Sequence, residues 1–305
     1  MKAVVLYEYG DVNQLQFRTD WREPAYAPNE VRVRVRATSI NPIDWKLRNG
    51  AAQKRMPLNL PAILGRDLAG EVVDIGSDVT GFEKGMRVMA LANGTYAEFA
   101  VARADILAPI PDNLSFEQAA ALPLVLTTGT QLIERAVQVQ SGWTILVTGA
   151  VGGVGRTAVH VARKHGAHVI AGVKSSQRGE AAKLGAERVI ALDDEKDIAS
   201  LRDLDAIADT VGGDTIGKLL AALKPGGVLG SVLGEPEAAK GKNIQVRAFM
   251  AQPDAARLYE LADEVARGEF AIPIAKKFPL EQAAQAQELA EKGHPGGKVL
   301  LVAAS

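Results

Sequence analysis

The sequence predicts an α/β protein in which a β-rich segment precedes a doubly wound parallel sheet. Three observations support this prediction. Short strands separated by Gly, Pro, Asn and Asp turns fill residues 1–110, a glycine-rich turn at residues 144–155 joins an apolar strand to a helix, and strands and helices alternate after it. Because 305 residues exceed one ordinary core, we expect two domains.

Composition and charge narrow the function classes. The chain is 47% hydrophobic and 23% charged, as soluble globular proteins are. A formal net charge of −1 without a basic tract argues against nucleic-acid binding and against an anionic membrane surface. The absence of cysteine excludes disulfides, thiolate nucleophiles and cysteine-ligated zinc. No stretch is long enough for a signal peptide or a membrane span, so we expect a cytoplasmic protein.

The first segment is a series of short strands. Apolar and β-branched residues predict strands at residues 3–7, 31–37, 70–73, 87–90 and 98–101. In the second of these, valine alternates with arginine, a period of two that buries the valines and turns the arginines to water. We expect this segment to form a small, partly closed β-barrel or a coiled sheet.

From about Ser115 the pattern changes. Ser115 and Gln118 form a capping-box signature that predicts the start of a helix. Beyond the glycine turn, strands are predicted at residues 167–172, 188–192, 204–209 and 228–233. Helices are predicted between them at residues 177–184, 198–202 and 214–223, and Pro225-Gly226-Gly227 is expected to end the last. This alternation predicts a parallel sheet that binds ligands at the carboxyl ends of its strands.

The end of the chain has a third pattern. Residues 254–267 have the apolar spacing of an amphipathic helix, a second helix is predicted from Pro279, and residues 298–303 form an apolar strand. A lone strand must pair with a neighbour, so we expect the tail to return to the first domain.

The glycine turn gives the first functional prediction. Its glycines let backbone N–H groups approach a pyrophosphate, and the N-terminus of the following helix adds partial positive charge. Residues 150–155, AVGGVG, differ from the GxGxxG fingerprint by alanine at the first position. We predict a dinucleotide site here, and a tight turn without a ligand is the alternative.

The end of the next strand indicates which dinucleotide binds. NAD-selective sites have an acidic residue about twenty positions after the glycines, where it binds the ribose hydroxyls. Here residues 171–176 are AGVKSS, and Arg178 follows. A cation with hydroxyl groups suits a ribose 2′-phosphate, so we predict NADPH rather than NADH, held mainly by Lys174 with Ser175 and Arg178. The alternative is that Lys174 is a solvated loop residue.

Residues 41–48, NPIDWKLR, are the most suggestive run of the first segment. Asn41 and Pro42 suit the N-cap and first position of a short helix, and Asp44 stands in the first turn, where negative charge is favourable. Arg48, four residues on, is placed to pair with Asp44. These roles account for Asn41 and Asp44 structurally, and composition alone gives Lys46 no catalytic role.

Several motifs in order resemble the medium-chain dehydrogenase/reductase superfamily. They are NPIDWKLRNG, LGRDLAGEVV, TYAEFAVARADILAPIPDNLSFEQAAALPL, VTGAVGGVG, DTVGG and the closing GGKVLLV. Within the superfamily, the chain resembles the zinc-free quinone oxidoreductase (ζ-crystallin-like) branch. The run Asn-Pro-x-Asp-x-Lys is most similar to the alkenal and enone reductases of that branch.

This resemblance implies an α/β fold with a GroES-like β-rich catalytic domain and a doubly wound parallel-sheet Rossmann domain. The catalytic domain is expected at residues 1–120 and 257–305, and the NADP-binding Rossmann domain at residues 121–256. The resemblance also implies an active site in the cleft between the domains, and homodimers that associate largely through the cofactor domains.

The resemblance further implies a site without metal. Zinc-dependent relatives have a metal-binding Cys near the position of Asn41 and a His-Glu pair after a glycine, whereas this chain has Gly65-Arg66-Asp67 there. A catalytic zinc needs three protein ligands and an open position. Ligand spacing is also lacking among the four histidines, which are His160, His165, His168 and His294.

Site roles follow from the same resemblance. Lys46 is expected to hydrogen-bond the developing oxyanion, or the nicotinamide ribose and a water that supplies the proton. Asn41 and Asp44 hold the hydrogen-bond network of the site, and Lys298 is expected to be structural.

The expected cofactor contacts run along the second domain, although each also has a core or turn interpretation. Thr128 is placed near the nicotinamide carboxamide, Val211 beside the ring, and Leu233 and Gly234 along the cofactor. The remaining expected contacts are Ala150, Val151, Gly152, Gly153 and Val154 in the glycine loop and Phe249, Met250 and Ala251 at the nicotinamide end.

Without a metal, the expected reaction is hydride transfer to a carbon whose negative charge is delocalised onto a carbonyl oxygen. Quinones and α,β-unsaturated ketones or aldehydes meet this requirement, so we predict an NADPH-dependent quinone or enone reductase. Two alternatives stay open: an enoyl or secondary-alcohol oxidoreductase on the same fold, and an NADPH-binding redox sensor or structural protein without turnover.

Overall fold

The computed structural model of the chain describes residues 1–293 and 295–303. His294, one of the four histidines considered above, lies outside the described residues. The chain folds into two compact units, which are described separately. Unit 1 consists of Met1–Leu124 together with the residues from Pro253 onward, and unit 2 consists of Val125–Gln252.

The bounds of the strands and helices are as follows. The strands are β1 (Ala3–Leu6), β2 (Leu15–Arg18), β3 (Glu30–Ser39), β4 (Ala62–Ile63), β5 (Asp67–Ile75), β6 (Arg87–Leu91), β7 (Phe99–Arg103), β8 (Ala108–Pro109), β9 (Thr144–Thr148), β10 (His168–Val173), β11 (Arg188–Ala191), β12 (Leu204–Asp209), β13 (Leu223–Ser231), β14 (Gln245–Ala248), β15 (Ile274–Pro279) and β16 (Lys298–Val302). The α-helices are α1 (Pro42–Arg48), α2 (Phe116–Ala120), α3 (Pro123–Gln131), α4 (Gly153–Lys164), α5 (Arg178–Ala181), α6 (Glu195–Ala199), α7 (Gly213–Leu219), α8 (Ala255–Ala266) and α9 (Ala283–Glu291).

Unit 1 is built on two sheets. A three-stranded antiparallel sheet has the order β2–β1–β4, and a seven-stranded sheet has the order β15–β16–β3–β5–β6–β8, with β7 also paired to β3. The alternation predicted in β3 is confirmed, because Val31, Val33 and Val35 are buried. Among the arginines of this strand, Arg34 is exposed, and Arg36 is half-buried and pairs with Glu71 on β5 at 3.0 Å.

The tail of the chain completes unit 1, as predicted. Strand β16 pairs antiparallel with β3, with Leu300 opposite Ser39 and Leu301 opposite Thr38. Buried apolar residues of the tail then join Leu6 and Leu47 in one core cluster. Two segments far apart in sequence therefore share one core, because β16 finds its hydrogen-bonding partner in the first segment.

Unit 2 is a single parallel sheet of the order β11–β10–β9–β12–β13–β14. The order reverses at β9, so the strand before the glycine turn lies in the middle of the sheet. Its core contains Leu146, Ile170, Ile207 and Leu229 from four neighbouring strands. The predicted α/β fold, a β-rich GroES-like unit and a doubly wound Rossmann-type unit, is confirmed.

Two local predictions in unit 2 were wrong. The helix predicted at residues 198–202 instead spans Glu195–Ala199, because the carboxylate of Asp194 accepts a hydrogen bond from the N–H of Lys196 and caps an earlier start. Pro225-Gly226-Gly227 does not end a helix but lies inside β13. A register irregularity between Leu204 and Ala206 lets β13 continue past these residues beside β12.

No helix among the described residues combines the length and apolar character that crossing a membrane requires.

Candidate active site

Helix α1 in unit 1 begins as the sequence predicts. Asn41 is the N-cap residue, Pro42 follows it, and Asp44 lies in the first turn. The Oδ2 atom of Asp44 accepts hydrogen bonds from the backbone N–H of Asn41 at 2.8 Å and from the hydroxyl of Tyr96 at 2.8 Å. One half of a capping box is therefore formed by Asp44, and Tyr96 on a distant segment anchors the same oxygen.

The side-chain amide of Asn41 makes hydrogen bonds to charged groups outside the helix. Its Nδ2 atom donates to Asp67 Oδ2 at 2.7 Å, and its Oδ1 atom accepts from the Lys298 ammonium at 2.5 Å. Charged partners make stronger hydrogen bonds than a helix N–H does. The amide of Asn41 is thus part of a buried polar cluster at the start of α1.

The predicted pair of Asp44 with Arg48 is wrong. Arg48 donates instead to Gln287 at 2.7 Å and to Glu291 at 2.8 Å, both on α9. Asp44 and Arg48 are both buried, but their hydrogen-bond partners come from different segments, Tyr96 for Asp44 and α9 for Arg48. The helical spacing that suggested the pair was outweighed by these tertiary contacts.

Asp44 is a buried acid with an unusual environment. It is fully buried, and its Oδ1 atom has no hydrogen-bond partner among the described residues. Burial raises the pKa of Asp44 to about 7, against the opposing effect of the hydrogen bonds from Asn41 and Tyr96. Burial likewise raises the pKa of Tyr96 well above its ordinary value, and the nearby Asp44 charge acts in the same direction. Asp44 can therefore hold a proton near neutral pH.

Asp67 accepts hydrogen bonds from several members of the buried cluster, and the sequence analysis did not predict this role. Its Oδ2 atom accepts from Asn41, from the Ser39 hydroxyl and from Lys298 at 3.4 Å, and its Oδ1 atom accepts from the N–H of Leu124 at 2.7 Å. Lys298 is itself buried and also donates to the carbonyl oxygen of Ile40 at 3.3 Å. The available signal was a charged residue at the first position of each of the strands β5 and β16, directly before apolar residues.

Lys46 is on the next turn of α1 and is half-buried. Of the residues that the structure describes, none accepts a hydrogen bond from its ammonium group or forms an ion pair with it. An ammonium without a partner in the protein is able to donate to a bound molecule. In this respect Lys46 differs from Lys298.

The glycine loop of unit 2 has the backbone that a phosphate site requires. Gly149 has a φ of +61°, and a Cβ on Gly155 would lie 2.2 Å from the carbonyl oxygen of Gly149, so that position accepts only glycine. Helix α4 begins at Gly153, with Gly152 as an N-cap that has no side chain to satisfy the first N–H groups. The loop residues predicted to contact cofactor are thus at the open end of a twelve-residue helix; they are Ala150, Val151, Gly152, Gly153 and Val154.

Thr128 lies on α3 close to this helix end. A Cβ on its neighbour Gly129 would approach the Thr157 side chain to 2.5 Å and the carbonyl oxygen of Val154 to 2.7 Å. Helix α3 therefore packs directly on the first turns of α4. Thr128 itself is buried, with 8% of its surface exposed.

Three strand ends beside the loop are tied together by Asp209, which sequence reasoning did not single out. Its Oδ1 atom accepts from the Thr148 hydroxyl at 2.9 Å and from the N–H groups of Val211 and Gly212 at 3.1 and 3.0 Å. Its Oδ2 atom accepts from the Ser231 hydroxyl at 3.2 Å. The sequence signal for this network was the polar residue that ends each of the strands β9, β12 and β13.

Beside this hydrogen-bond network, two residues that were predicted to contact the cofactor face outward. Val211 and Leu233 are 48% and 41% exposed, and they are among the large apolar side chains that the structure leaves at the surface. The N–H of Leu233 donates to the Ser231 hydroxyl at 3.1 Å, so both residues are held by the Asp209 network. Gly234 follows with a φ of +108°.

The segment after β14 contains the last predicted contacts. The N–H of Phe249 is 3.4 Å from the carbonyl oxygen of Ser231, Met250 is 44% exposed, and Ala251 is half-buried. Gln252 exchanges two hydrogen bonds with Gln131 at the end of α3, at 2.6 and 3.0 Å. Within unit 2, these two hydrogen bonds connect the segment after β14 to α3, the helix that contains Thr128.

The residues predicted to bind the 2′-phosphate follow β10. Lys174 and Ser175 are exposed, and Ser175 donates both its N–H and its hydroxyl to Asp193. Arg178 is occupied elsewhere, because its guanidinium donates to Asp197 on α6 and to the carbonyl oxygen of Val189. Lys174 and Ser175 are therefore adjacent, whereas Arg178 is engaged by an acid of its own.

Comparison with known proteins places these two units in a family. Residues 27–112 match the alcohol dehydrogenase GroES-like domain, and residues 184–301 match the zinc-binding dehydrogenase model. A quinone oxidoreductase of Pseudomonas aeruginosa is 32% identical, with 98% of this chain and 99% of that protein covered. The chain belongs to the quinone oxidoreductase family of the medium-chain dehydrogenase/reductase superfamily.

Two further relatives agree with this assignment. The solved structure of the quinone oxidoreductase from Coxiella burnetii has 33% sequence identity and a TM-score of 0.91, with 99% of both chains covered. The mitochondrial NAD(P)H oxidoreductase RTN4IP1 of Danio rerio is 30% identical, with 99% of this chain and 91% of that protein covered. Like its family, the chain is an oxidoreductase that depends on a nicotinamide cofactor.

One of the matching models is named for zinc, but the donor set around α1 does not fit that metal. The polar groups that meet there come from Asn41, Asp44, Asp67, Tyr96 and Lys298. Zinc sites are built mainly from Cys and His, and an ammonium within 3.4 Å of the Asp67 carboxylate opposes a second cation.

Proposed function

We propose that this oxidoreductase uses NADPH to reduce quinones or α,β-unsaturated carbonyl compounds. The observation that carries the proposal is the Lys46 ammonium, which has no partner among the described residues and lies beside a buried cluster without Cys or His. A fixed cation is a hydrogen-bond donor for an oxygen that gains negative charge. It performs the task that a metal ion performs in zinc-dependent enzymes.

The residues of unit 2 fit the cofactor. The N–H groups at the start of α4 would hold the pyrophosphate, and the exposed Val211 and Leu233 offer apolar surface to a planar ring. Lys174 and Ser175 would hold the ribose 2′-phosphate, which supports NADPH over NADH. Thr128, Met250 and Ala251 would contribute to the nicotinamide end. When bound, the reduced nicotinamide supplies a hydride.

The substrate step is a balanced two-electron reduction. Hydride adds to the β-carbon of the enone, and the electron pair of the C=C bond moves onto the carbonyl oxygen. Lys46 donates a hydrogen bond to that oxygen, and transfer of a proton from water to the α-carbon of the resulting enolate gives the saturated carbonyl compound. With a quinone, the hydroquinone anion takes the place of the enolate. Asn41 and Asp44 hold α1 in position while this occurs.

Three further proposals concern the setting of the enzyme. The cysteine-free composition fits a reducing compartment, so we place the protein in the cytoplasm. A net charge of −1 supports a small-molecule substrate rather than nucleic acid or a membrane as partner. The family resemblance supports a homodimer.

The decisive experiment is anaerobic oxidation of NADPH and of NADH against a panel of quinones, enones, alkenals and ketones. We expect turnover with quinones or enones, a saturated ketone as the enone product, and higher kcat/KM with NADPH. Equal efficiency with NADH refutes the cofactor preference. Reduction of ketones alone supports the alcohol oxidoreductase alternative, and NADPH binding without any oxidation supports the sensor alternative.

A further inference from the structure

The carboxylate of Asp193 occupies the donors that the proposed phosphate site needs. Strands β10 and β11 run in parallel with Val173 opposite Ala191, so their carboxyl ends lie side by side. The Oδ1 atom of Asp193 accepts the backbone N–H of Ser175 at 2.8 Å and the Ser175 hydroxyl at 2.8 Å. One residue of unit 2 therefore presents an anion to both donors of Ser175.

The surroundings of Asp193 favour its ionised form. The hydrogen bond from the Ser175 hydroxyl, followed by that from the Ser175 N–H, lowers the pKa of Asp193 below its ordinary value, and the charge of Lys174 acts in the same direction. Asp193 and Lys174 are both exposed, so a bound phosphate group can reach the same donors from solvent.

The nearby charged side chains do not neutralise the carboxylate of Asp193. Arg178, the second cation after β10, donates to Asp197, and that carboxylate also accepts the N–H of Ala191 at 2.5 Å. Asp194, the next acid along the chain, caps α6 by accepting the N–H of Lys196 at 2.8 Å. A phosphate arriving at Ser175 thus meets the cation of Lys174 and the competing carboxylate of Asp193.

We propose that Asp193 is a specificity-determining residue of the cofactor site. Its carboxylate competes with the 2′-phosphate of NADPH for the donors of Ser175 and for the charge of Lys174, and so limits the preference for NADPH over NADH. NADH lacks this phosphate and is unaffected by the competition. The inference rests on the proposed function, because it assumes that the 2′-phosphate binds at Lys174 and Ser175.

The test measures binding as well as turnover. Asp193→Asn keeps an oxygen acceptor for Ser175 but removes the charge, and Asp194→Asn removes a charge one residue away as the matched control. Dissociation constants for adenosine 2′,5′-bisphosphate and for 5′-AMP are measured by calorimetry on the full chain. We expect Asp193→Asn to bind the bisphosphate about fivefold more tightly, the effect of one exposed charge pair, and to bind 5′-AMP as the wild type does.

Two results decide the inference. A bisphosphate gain at least threefold larger in Asp193→Asn than in Asp194→Asn, with a matching rise in the ratio of kcat/KM for NADPH to that for NADH, supports it. A smaller difference, or an equal gain for 5′-AMP, overturns it. Lys174→Gln tests the proposed function separately: if it binds the bisphosphate as tightly as the wild type, the assignment of the phosphate site is wrong, whatever Asp193→Asn does.

Discussion

The two units each contain a buried aspartate next to candidate site residues, but the two carboxylates have different surroundings. Asp209 in unit 2 accepts four hydrogen bonds, from two hydroxyls and two backbone N–H groups. Asp44 in unit 1 accepts two bonds on one oxygen, while its other oxygen has no partner among the described residues. The first arrangement fixes backbone, and the second keeps a proton available near neutral pH.

The behaviour of a buried carboxylate depends on how many hydrogen-bond donors surround it. A buried carboxylate supplied with donors on both oxygens is a rigid connector between strands. A buried carboxylate with too few donors favours its neutral form, and its pKa rises. The sequence shows the same residue type in both places, and only the count of donors separates the two roles.

The largest effect of a substitution at a fixed pH is expected from Asp209→Ala, which removes the acceptor shared by the strand ends. Four donors at the ends of β9, β12 and β13 lose their acceptor, so we expect the free energy of unfolding to fall by about 3 kcal/mol. We also expect NADPH affinity to fall at least tenfold, because Val211 and Leu233 are no longer held. Denaturant unfolding and fluorescence titration with NADPH measure the two effects.

Asp214→Ala, at an exposed acid on α7, is the control for this change and should leave both quantities nearly unaltered. An Asp209→Ala variant that matched the control would show that the strand ends are held by other contacts.

The next effect concerns the pH dependence of stability at Asp44. Because the folded-state pKa of about 7 lies above the ordinary value of 3.8, the folded protein retains a proton that the unfolded chain has lost. This contribution to stability is fully present below about pH 4 and is lost as pH rises to about 7. Over that range it decreases by about 1.4 kcal/mol per pH unit.

Asp44→Asn removes the titration but keeps an oxygen for the N–H of Asn41. Unfolding free energies of the wild type and the variant, measured from pH 4 to pH 8, should show the difference between them falling up to about pH 7 and then levelling. A difference that is constant over this range contradicts a raised pKa. Among the described residues, Arg66, Asp67, Tyr96 and Lys298 are other titratable groups that face this site, and all four are unchanged in the comparison.

The smallest expected free-energy change belongs to Lys46→Met, which separates catalysis from folding. Loss of the proposed hydrogen bond to the substrate oxygen should lower kcat by tenfold or more, about 1.4 kcal/mol, while stability and NADPH affinity stay close to wild type. Steady-state kinetics with an enone substrate measures the loss. Lys54→Met, at an exposed lysine just beyond α1, is the matched control, and equal activity of the two variants would exclude a catalytic role for Lys46.

Local features of the sequence were good predictors where the interacting groups are close along the chain. The capping box of Ser115 and Gln118 is present as predicted, with the Gln118 N–H donating to the Ser115 hydroxyl at 3.2 Å. The strand at Leu204–Asp209 has the predicted bounds. The same reasoning failed at Arg48, whose side chain donates to Gln287 more than two hundred residues away, and it did not predict that Asn41, the N-cap of α1, also contacts Lys298.

Local sequence patterns were sufficient to predict the α/β class, the position of the glycine loop, the start of α1 and the absence of an acid at the end of β10. Each of these depends on periodicity, turn residues or spacing within one short segment. The tertiary structure was needed to show that Asp67 and Lys298 meet at Asn41, that Asp209 links the ends of three strands and that Asp193 faces Ser175. Those contacts join side chains that are brought together by strand pairing, and no local pattern specifies the partner of a buried polar group.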